Sequence, residues 1–337
     1  MAKFVLRRLL WMTGVLFVVS VITFAMMHAV PGGPFSQEKP LNPQTLAQLN
    51  EKYNLDAPIT EQYADYMLDI LIPVVLTGPQ QRALDHEYLI NIPLGFGDNT
   101  TFRWMNFGPS FKSTSRTVND IFRENLPVSF QLGMAAVVVA TVIGFPLGVL
   151  SALNRNTGWD FLGMSVAIIG VSVPVIITAP ILQFLFGVHL RWLPMTGWGS
   201  ANQMILPALA LGFGSSALIA RLTRASILQV LHEDYIRTAR AKGLRENRVV
   251  SFHVLKNALI PVVTVFGPLV AFLLTGTFVV ETIFAIPGMG RFFVTSITGR
   301  DYPVIMGTIL LFAVVLVLAN TVVDIIYVWL DPRIKFS

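Results

Sequence analysis

Residues 303–330 read PVIMGTILLFAVVLVLANTVVDIIYVWL, with Asp324 the only charged side chain. An α-helix rises 1.5 Å per residue, so a hydrocarbon core about 30 Å thick needs roughly 20 apolar residues. This stretch is long enough to cross with tilt. Five others resemble it: Leu9–Val30, Val128–Leu153, Phe161–Leu190, Met204–Ala220 and Leu259–Val280. The pattern predicts an all-α polytopic membrane protein with six transmembrane helices.

The composition agrees. Of 337 residues, 54% are hydrophobic and 13% charged, with a mean hydropathy of +0.64. Soluble chains carry about 25% charged residues, so a soluble enzyme, a disordered tail and a nucleic-acid module are all disfavoured. The net charge of +5 is small. The chain has no cysteine, which excludes disulfides, thiolate metal sites and cysteine nucleophiles.

The first span follows Lys3, Arg7 and Arg8. It is too long for a secretory h-region of about 7–15 residues and is read as a retained anchor. With the N-terminus inside, residues 1–8, 154–160, 221–258 and 331–337 hold fourteen Lys/Arg against five Asp/Glu. The positive-inside rule then places both termini in the cytoplasm. Trp11, Trp159, Trp192, Trp198 and Trp329 fall near span ends, as an aromatic belt does.

The chain divides into an anchor with the first span (1–30), an extracytoplasmic segment (31–127) and a five-helix core (128–337). In the second, Asn42-Pro43 predicts a capped helix to about Tyr53. Tyr63, Tyr66, Met67 and Ile70 share one face of a helix over Thr60–Leu71. Residues 73–110, rich in Pro, Gly and Asn, read as loop. The segment is either a cap on the spans or a docking surface.

Within the spans, ionisable and polar groups are the functional candidates. Asp324 reads first as structural or interfacial, with Asn320 one turn earlier as a hydrogen-bond partner. Gln183 is a similar candidate. Ser215, Ser216, Thr264 and Thr275 are small polar residues able to line a pathway or to pack. Gly144-x-x-x-Gly148 permits close helix approach. Pro174 and Pro180 interrupt the third span.

The strongest signal lies in the cytoplasmic loop 221–258, RLTRASILQVLHEDYIRTARAKGLRENRVVSFHVLKNA. Glu233 and Asp234 suit a helix N-terminus, and Arg240 and Lys242 suit its C-terminus. Gly243 follows as a left-handed terminator. Thr238, Ala239 and Ala241 are small enough to admit another protein's backbone. Taken alone, the loop reads first as a solvated basic face held at anionic lipid.

YIRTARAKGL followed by HVLKNALIP resembles the cytoplasmic Glu-Ala-Ala loop of ATP-binding-cassette importer permeases, in particular the first permease subunit of the dipeptide/oligopeptide branch. Arg237, Thr238 and Ala239 stand at the triplet positions and Gly243 at the glycine. The absent glutamate and the late Pro261 are usual in that branch. VLRRLL…VITFAMMHAVPGGPF, NFGPSFKSTSRTVNDIFRENLPVSFQLG, ETIFAIPGMGRFFVTSITGRDYPVIMG and the tail DPRIKFS resemble it too. Gly33 stands where Asp is frequent, and residues 73–104 resemble an insertion.

The resemblance implies a type I ABC importer transmembrane domain in a bacterial or archaeal cytoplasmic membrane. Its partners would be a second homologous permease subunit, two ATP-binding-cassette ATPase subunits, an extracytoplasmic substrate-binding protein and the lipid bilayer, with no nucleic acid. Coupling to the ATPase would fall on Tyr235, Arg237, Thr238, Ala239, Arg240, Ala241 and Gly243. The cargo would be di- or oligopeptides, with nickel complexes or oligosaccharides as alternatives. A further alternative is an ion-driven secondary transporter. The chain lacks a phosphate-loop motif, so it is read as no enzyme and as holding no cofactor, with ATP and Mg²⁺ on the partner ATPases. His28, His86, His189, His232 and His253 are scattered without metal-ligand spacing.

Overall fold

Apolar helices dominate the computed structural model, which describes residues 2–35, 42–77, 86–94, 100–113 and 115–330. The tail DPRIKFS, and residues 78–85 and 95–99 of the expected insertion, lie outside the described residues. In chain order the helices are α1 (Ala2–Ala29), α2 (Pro43–Lys52), α3 (Ile59–Leu71), α4 (Val118–Leu153), α5 (Gly158–Ser172), α6 (Val175–Leu182) and α7 (Ala201–Val230). There follow α8 (Asp234–Ala241), α9 (Glu246–Arg248), α10 (Leu255–Leu274), α11 (Phe278–Ile283), α12 (Gly290–Gly299) and α13 (Tyr302–Leu330). π-Helical turns continue α6 over Gln183–His189 and join α9 to α10 over Val249–Val254.

Five helical runs among the described residues are long and apolar enough to span a bilayer, and six if the bent pair α5–α6 counts as one. Trp159, Phe161, Ile168 and Ile176 of that pair stand exposed, as lipid-facing side chains do. The bend between α5 and α6 is 108°, so the third apolar stretch is broken and not one long tilted helix. The cause is Pro174, which caps α6 and cannot donate an amide. Its ring pushes Val173 into extended backbone, ψ 116°.

The fourth span is also longer than its hydropathy suggests. α7 runs past Ala220 to Val230, absorbing the first part of the expected 221–258 loop. Arg221 is exposed on it, and Arg224 finds a carboxylate, Asp160.

The chain forms two compact units: residues 1–12, 128–290 and 314–337, and residues 13–127 and 291–313. In the first, α7 is the buried axis, with Leu206, Ala210, Ala217, Ala220 and Ile227 inside. Gly144 and Gly148 of α4 face it. A Cβ on Gly144 would sit 2.4 Å from the Ser216 carbonyl oxygen, and one on Gly148 2.5 Å from that of Ala220. Their missing side chains let the two backbones touch.

In the second unit, Asn42 caps α2 by accepting the Gln44 amide at 3.1 Å, with Pro43 leading the helix as expected. α3 buries Ile70 and half-buries Tyr63, Tyr66 and Met67. Residues 73–110 are not simply loop. β1 (Val74–Thr77), β2 (Ile90–Pro93) and β3 (Thr100–Trp104) form an antiparallel sheet in the order β1-β3-β2. Phe102 pairs with Val75 on one side and Ile92 on the other. The strands hold only four or five residues each, and β1 pairs with β3, not with the strand that follows it in the chain. No local periodicity announces such a sheet.

Candidate coupling site

Glu233 is the N-cap of α8, and its carbonyl accepts the amides of Ile236 and Arg237 at 3.0 and 3.4 Å. Asp234 occupies the first turn, where the helix dipole favours an anion. The C-terminus closes with a double bond pattern. Gly243 donates to the Arg240 carbonyl at 2.9 Å and Leu244 to that of Ala239 at 3.4 Å. That is a Schellman motif, and it requires the left-handed φ of +77° that Gly243 adopts.

Ile236 and Ala239 point inward, packed with Ala152, Ile227, Val249, Val254 and Ala258. Leu244 joins the same cluster and pins the end of the helix. Tyr235, Arg237, Thr238, Arg240 and Ala241 are all exposed, and so is Gly243. Ala239 is therefore not part of the surface a partner could touch. The helical period turns it, like Ile236 three residues earlier, into the subunit's own core.

Two braces hold the helix from its flanks. The Arg240 guanidinium donates to both Glu246 carboxylate oxygens, at 3.1 and 2.6 Å. The Tyr235 hydroxyl accepts from the Asn257 side chain at 2.9 Å. Partial burial raises the Tyr235 phenol above its ordinary value, so it stays neutral. Arg237 and Asp234 approach at 3.6 Å on the open face. The result is a short helix anchored on its inner face and at its flanks, with an exposed, mainly polar outer face. Among the described residues no group of His, Asp or Glu is placed to hold a metal ion.

The expected pathway residues separate by environment. Ser216 is buried and donates to the Phe213 carbonyl at 2.7 Å, with its backbone against Gly144. It packs α7 on α4. Ser215 is half-buried beside a recess of about 180 Å³ lined also by Gly170, Thr178 and Phe272. Thr264 is exposed and hydrogen-bonds Tyr327. Thr275 is half-buried and donates to the Ala271 carbonyl at 2.9 Å. Asn320 covers Gly267, where a Cβ would fall 2.3 Å from its amide oxygen. Asp324 is half-buried one turn further along α13.

Residues 144–336 match the family model described as "Binding-protein-dependent transport system inner membrane component", and residues 1–82 match its N-terminal counterpart. The chain belongs to this family. The permease is 43% identical over 335 residues to the dipeptide transport system permease protein DppB of Bacillus subtilis, covering 99% of this chain and 98% of that one. It is 40% identical over 338 residues to the oligopeptide transport system permease protein OppB of Salmonella typhimurium, covering both completely. An inward-facing structure of the MetNI methionine ABC transporter aligns with a TM-score of 0.51 and 20% identity, over 63% of this chain and 96% of that one. That likeness concerns the fold, a type I ABC importer transmembrane fold in a multi-pass membrane protein.

Two polar constellations of the permease escape a reading of the sequence. Glu281, 1% exposed in α11, accepts the Ser129 hydroxyl at 2.7 Å, the Gly290 amide at 2.7 Å and the Thr277 amide at 3.3 Å. Ser129 in turn accepts the Met289 amide at 2.8 Å. One carboxylate thus ties α4 to both ends of the turn 276–290. Gly288 lies so close that a Cβ there would sit 2.4 Å from the carboxyl carbon. In the second constellation, Asp160 receives two bonds of 2.7 Å from Arg224 and one of 3.0 Å from the Asn156 amide. The motif ETIFAIPGMG contains the signal for the first: an acid among glycines in an apolar setting. Gln183 is a third anchor, donating to the Met195 and Ile283 carbonyls at 2.8 and 3.1 Å.

Proposed function

We propose that this chain is one of two membrane subunits of an ATP-driven importer for di- or oligopeptides, and that α8 is its coupling helix. The observation that carries the reading is the open face of Tyr235, Arg237, Thr238, Arg240 and Ala241 on a helix whose other face and both ends are fixed. A rigid lever transmits a partner's stroke, whereas a loose loop absorbs it. Two ATPase subunits, which bind ATP and Mg²⁺, would receive α8. A second homologous permease would complete the pathway, and an extracytoplasmic binding protein would deliver cargo. The Lys/Arg distribution supports cytoplasmic termini, in a bacterial or archaeal cytoplasmic membrane. The peptide cargo draws support from the dipeptide and oligopeptide systems of the relatives.

ATP binding in the motor would favour one of two arrangements of the membrane subunits. Of the pathway candidates, Ser215, Thr264 and Thr275 fit the role better than Ser216, which is sealed inside. The chain has no cysteine, so a single Thr238→Cys or Ala241→Cys labels the face cleanly. In the assembled transporter these positions are expected to crosslink to an ATPase subunit in a nucleotide-dependent way. An assembled, transporting complex in which neither position crosslinks, and both stay freely labelled, would sink the reading.

A further inference from the structure

A cavity of about 400 Å³ lies within the unit formed by residues 13–127 and 291–313. It sits at the C-terminal end of α1 and the N-terminal end of α13, where apolar spans meet a membrane surface. This volume is in the range of small-molecule sites, about 300–1,000 Å³. Its wall is aromatic. Tyr53 and Phe111 rings are 4.6 Å apart, Phe111 and Tyr302 6.4 Å, and Tyr302 and His28 5.2 Å.

Two carboxylates, Asp65 and Asp69, stand among the polar side chains of the cavity. They lie one turn apart on α3 and are exposed at its edge. Partial burial, and then the Asp65 charge, raise the Asp69 carboxyl above its ordinary value, and Asp65 itself accepts the Asn54 side-chain amide at 3.5 Å. Lys52 also lines the cavity, but its ammonium already sits 5.2 Å from the Tyr53 ring centroid. The Tyr66 hydroxyl is buried at the same wall with no hydrogen-bond partner among the described residues. Buried hydroxyls seldom stay unpaired unless something else completes them.

We propose that this cavity binds an organic ammonium group carried on an apolar body. Aromatic faces attract a cation through their quadrupoles, the two carboxylates neutralise it, and the Tyr66 hydroxyl oxygen accepts a hydrogen bond from it. Lys52 over Tyr53 is an intramolecular example of the same recognition. Two sources supply that chemistry: the amine headgroup of a membrane lipid, or the free amino terminus of a soluble peptide. The proposal does not depend on the coupling role of α8, so either can fail alone.

The test uses the full-length chain in phosphatidylglycerol nanodiscs, with phenethylammonium and neutral 2-phenylethanol as probes in ligand-observed NMR titrations. The ammonium is expected to bind about ten-fold more tightly than the alcohol, the ratio that one cation–π contact supports. Asp65→Asn, at an exposed position that leaves folding intact, is expected to erase most of that preference, and Lys52→Met to enlarge it. Displacement by phosphatidylethanolamine assigns a headgroup. Displacement by Ala-Phe but not by N-acetyl-Ala-Phe assigns a soluble amine. Equal affinity for the two probes, or a preference unchanged in the folded Asp65→Asn, Asp69→Asn double variant, overturns the proposal.

Discussion

Helix α8 and the turn around Glu281 belong to the same unit and point their polar groups in opposite directions. α8 gives two of its eight residues, Ile236 and Ala239, to the core and turns the remainder outward. The turn does the reverse. Glu281 is enclosed, and three donors converge on its carboxylate. One region presents an open polar face and the other encloses its acid. The contrast separates two kinds of importance: substitutions in the turn should damage the fold first, and substitutions on α8 should damage coupling first.

The largest expected effect is therefore at Glu281. Removing its carboxylate leaves the Ser129 hydroxyl and two backbone amides unpaired in a buried place, each costing about 1–3 kcal/mol. Glu281→Ala is expected to lose at least about 3 kcal/mol in thermal unfolding of the detergent-solubilised permease, and Glu281→Gln clearly less. An Ala variant melting with the parent chain would show that the glycine packing alone holds the turn.

The Asp160–Arg224 pair comes next, on the same side of the contrast. Asp160 is 4% and Arg224 25% exposed at the side chain, and removing the carboxylate of such a pair costs up to about 3 kcal/mol because the partly buried guanidinium loses its partner. Asp160→Leu should destabilise by that order. Asp160→Leu with Arg224→Met should recover most of it, since an apolar pair of similar volume leaves no orphan charge. Failure of the double variant to recover would mean that the pair fixes the angle between α5 and α7 and contributes more than local charge balance.

These two regions also differ in how far a sequence reveals them. The ends of α8 are written within eleven residues, Glu233 to Gly243, and capping chemistry is local. The apolar spans announce themselves by length. Glu281 meets Ser129 across 152 positions, and Asp160 meets Arg224 across 64. Neither encounter leaves a periodic trace, so both acids read as ordinary punctuation near span ends. Pro174 is visible as a break, but the 108° bend it produces depends on what α6 packs against. Ala239 misleads for a simpler reason: its small size suggests an open surface, while Ile236 three residues earlier already fixes the buried face.

On α8 the expected effects on stability shrink and those on coupling grow. At Gly243 there is space for a side chain, with nothing within 4 Å of where a Cβ would sit, but φ is +77°. Gly243→Val should cost about 1–3 kcal/mol of backbone strain and unseat the helix end. Gly243→Asn, which tolerates the left-handed region, should cost less. Peptide-stimulated ATP turnover in the assembled transporter is expected to fall sharply for Val and to survive largely for Asn. Equal loss in both would place the defect in direct contact with the partner and not in the Schellman geometry.

The smallest effect is expected for the brace between Arg240 and Glu246, whose side chains are 43% and 56% exposed. Water screens such a pair, and even bidentate geometry leaves it worth at most about 1 kcal/mol. Glu246→Gln should thus shift the melting temperature of the permease little. It would still free Arg240 to swing, because the carboxylate is what aims the guanidinium along the outer face of the helix. If α8 transmits force through its orientation, this nearly silent change in stability should lower the ATPase crosslinking yield from Thr238→Cys, while the Arg237–Asp234 contact, 3.6 Å apart on the same helix, is dispensable to both readouts. An unchanged yield would mean that the buried side of α8, through Ile236 and Leu244, fixes its direction without help from the charged flank.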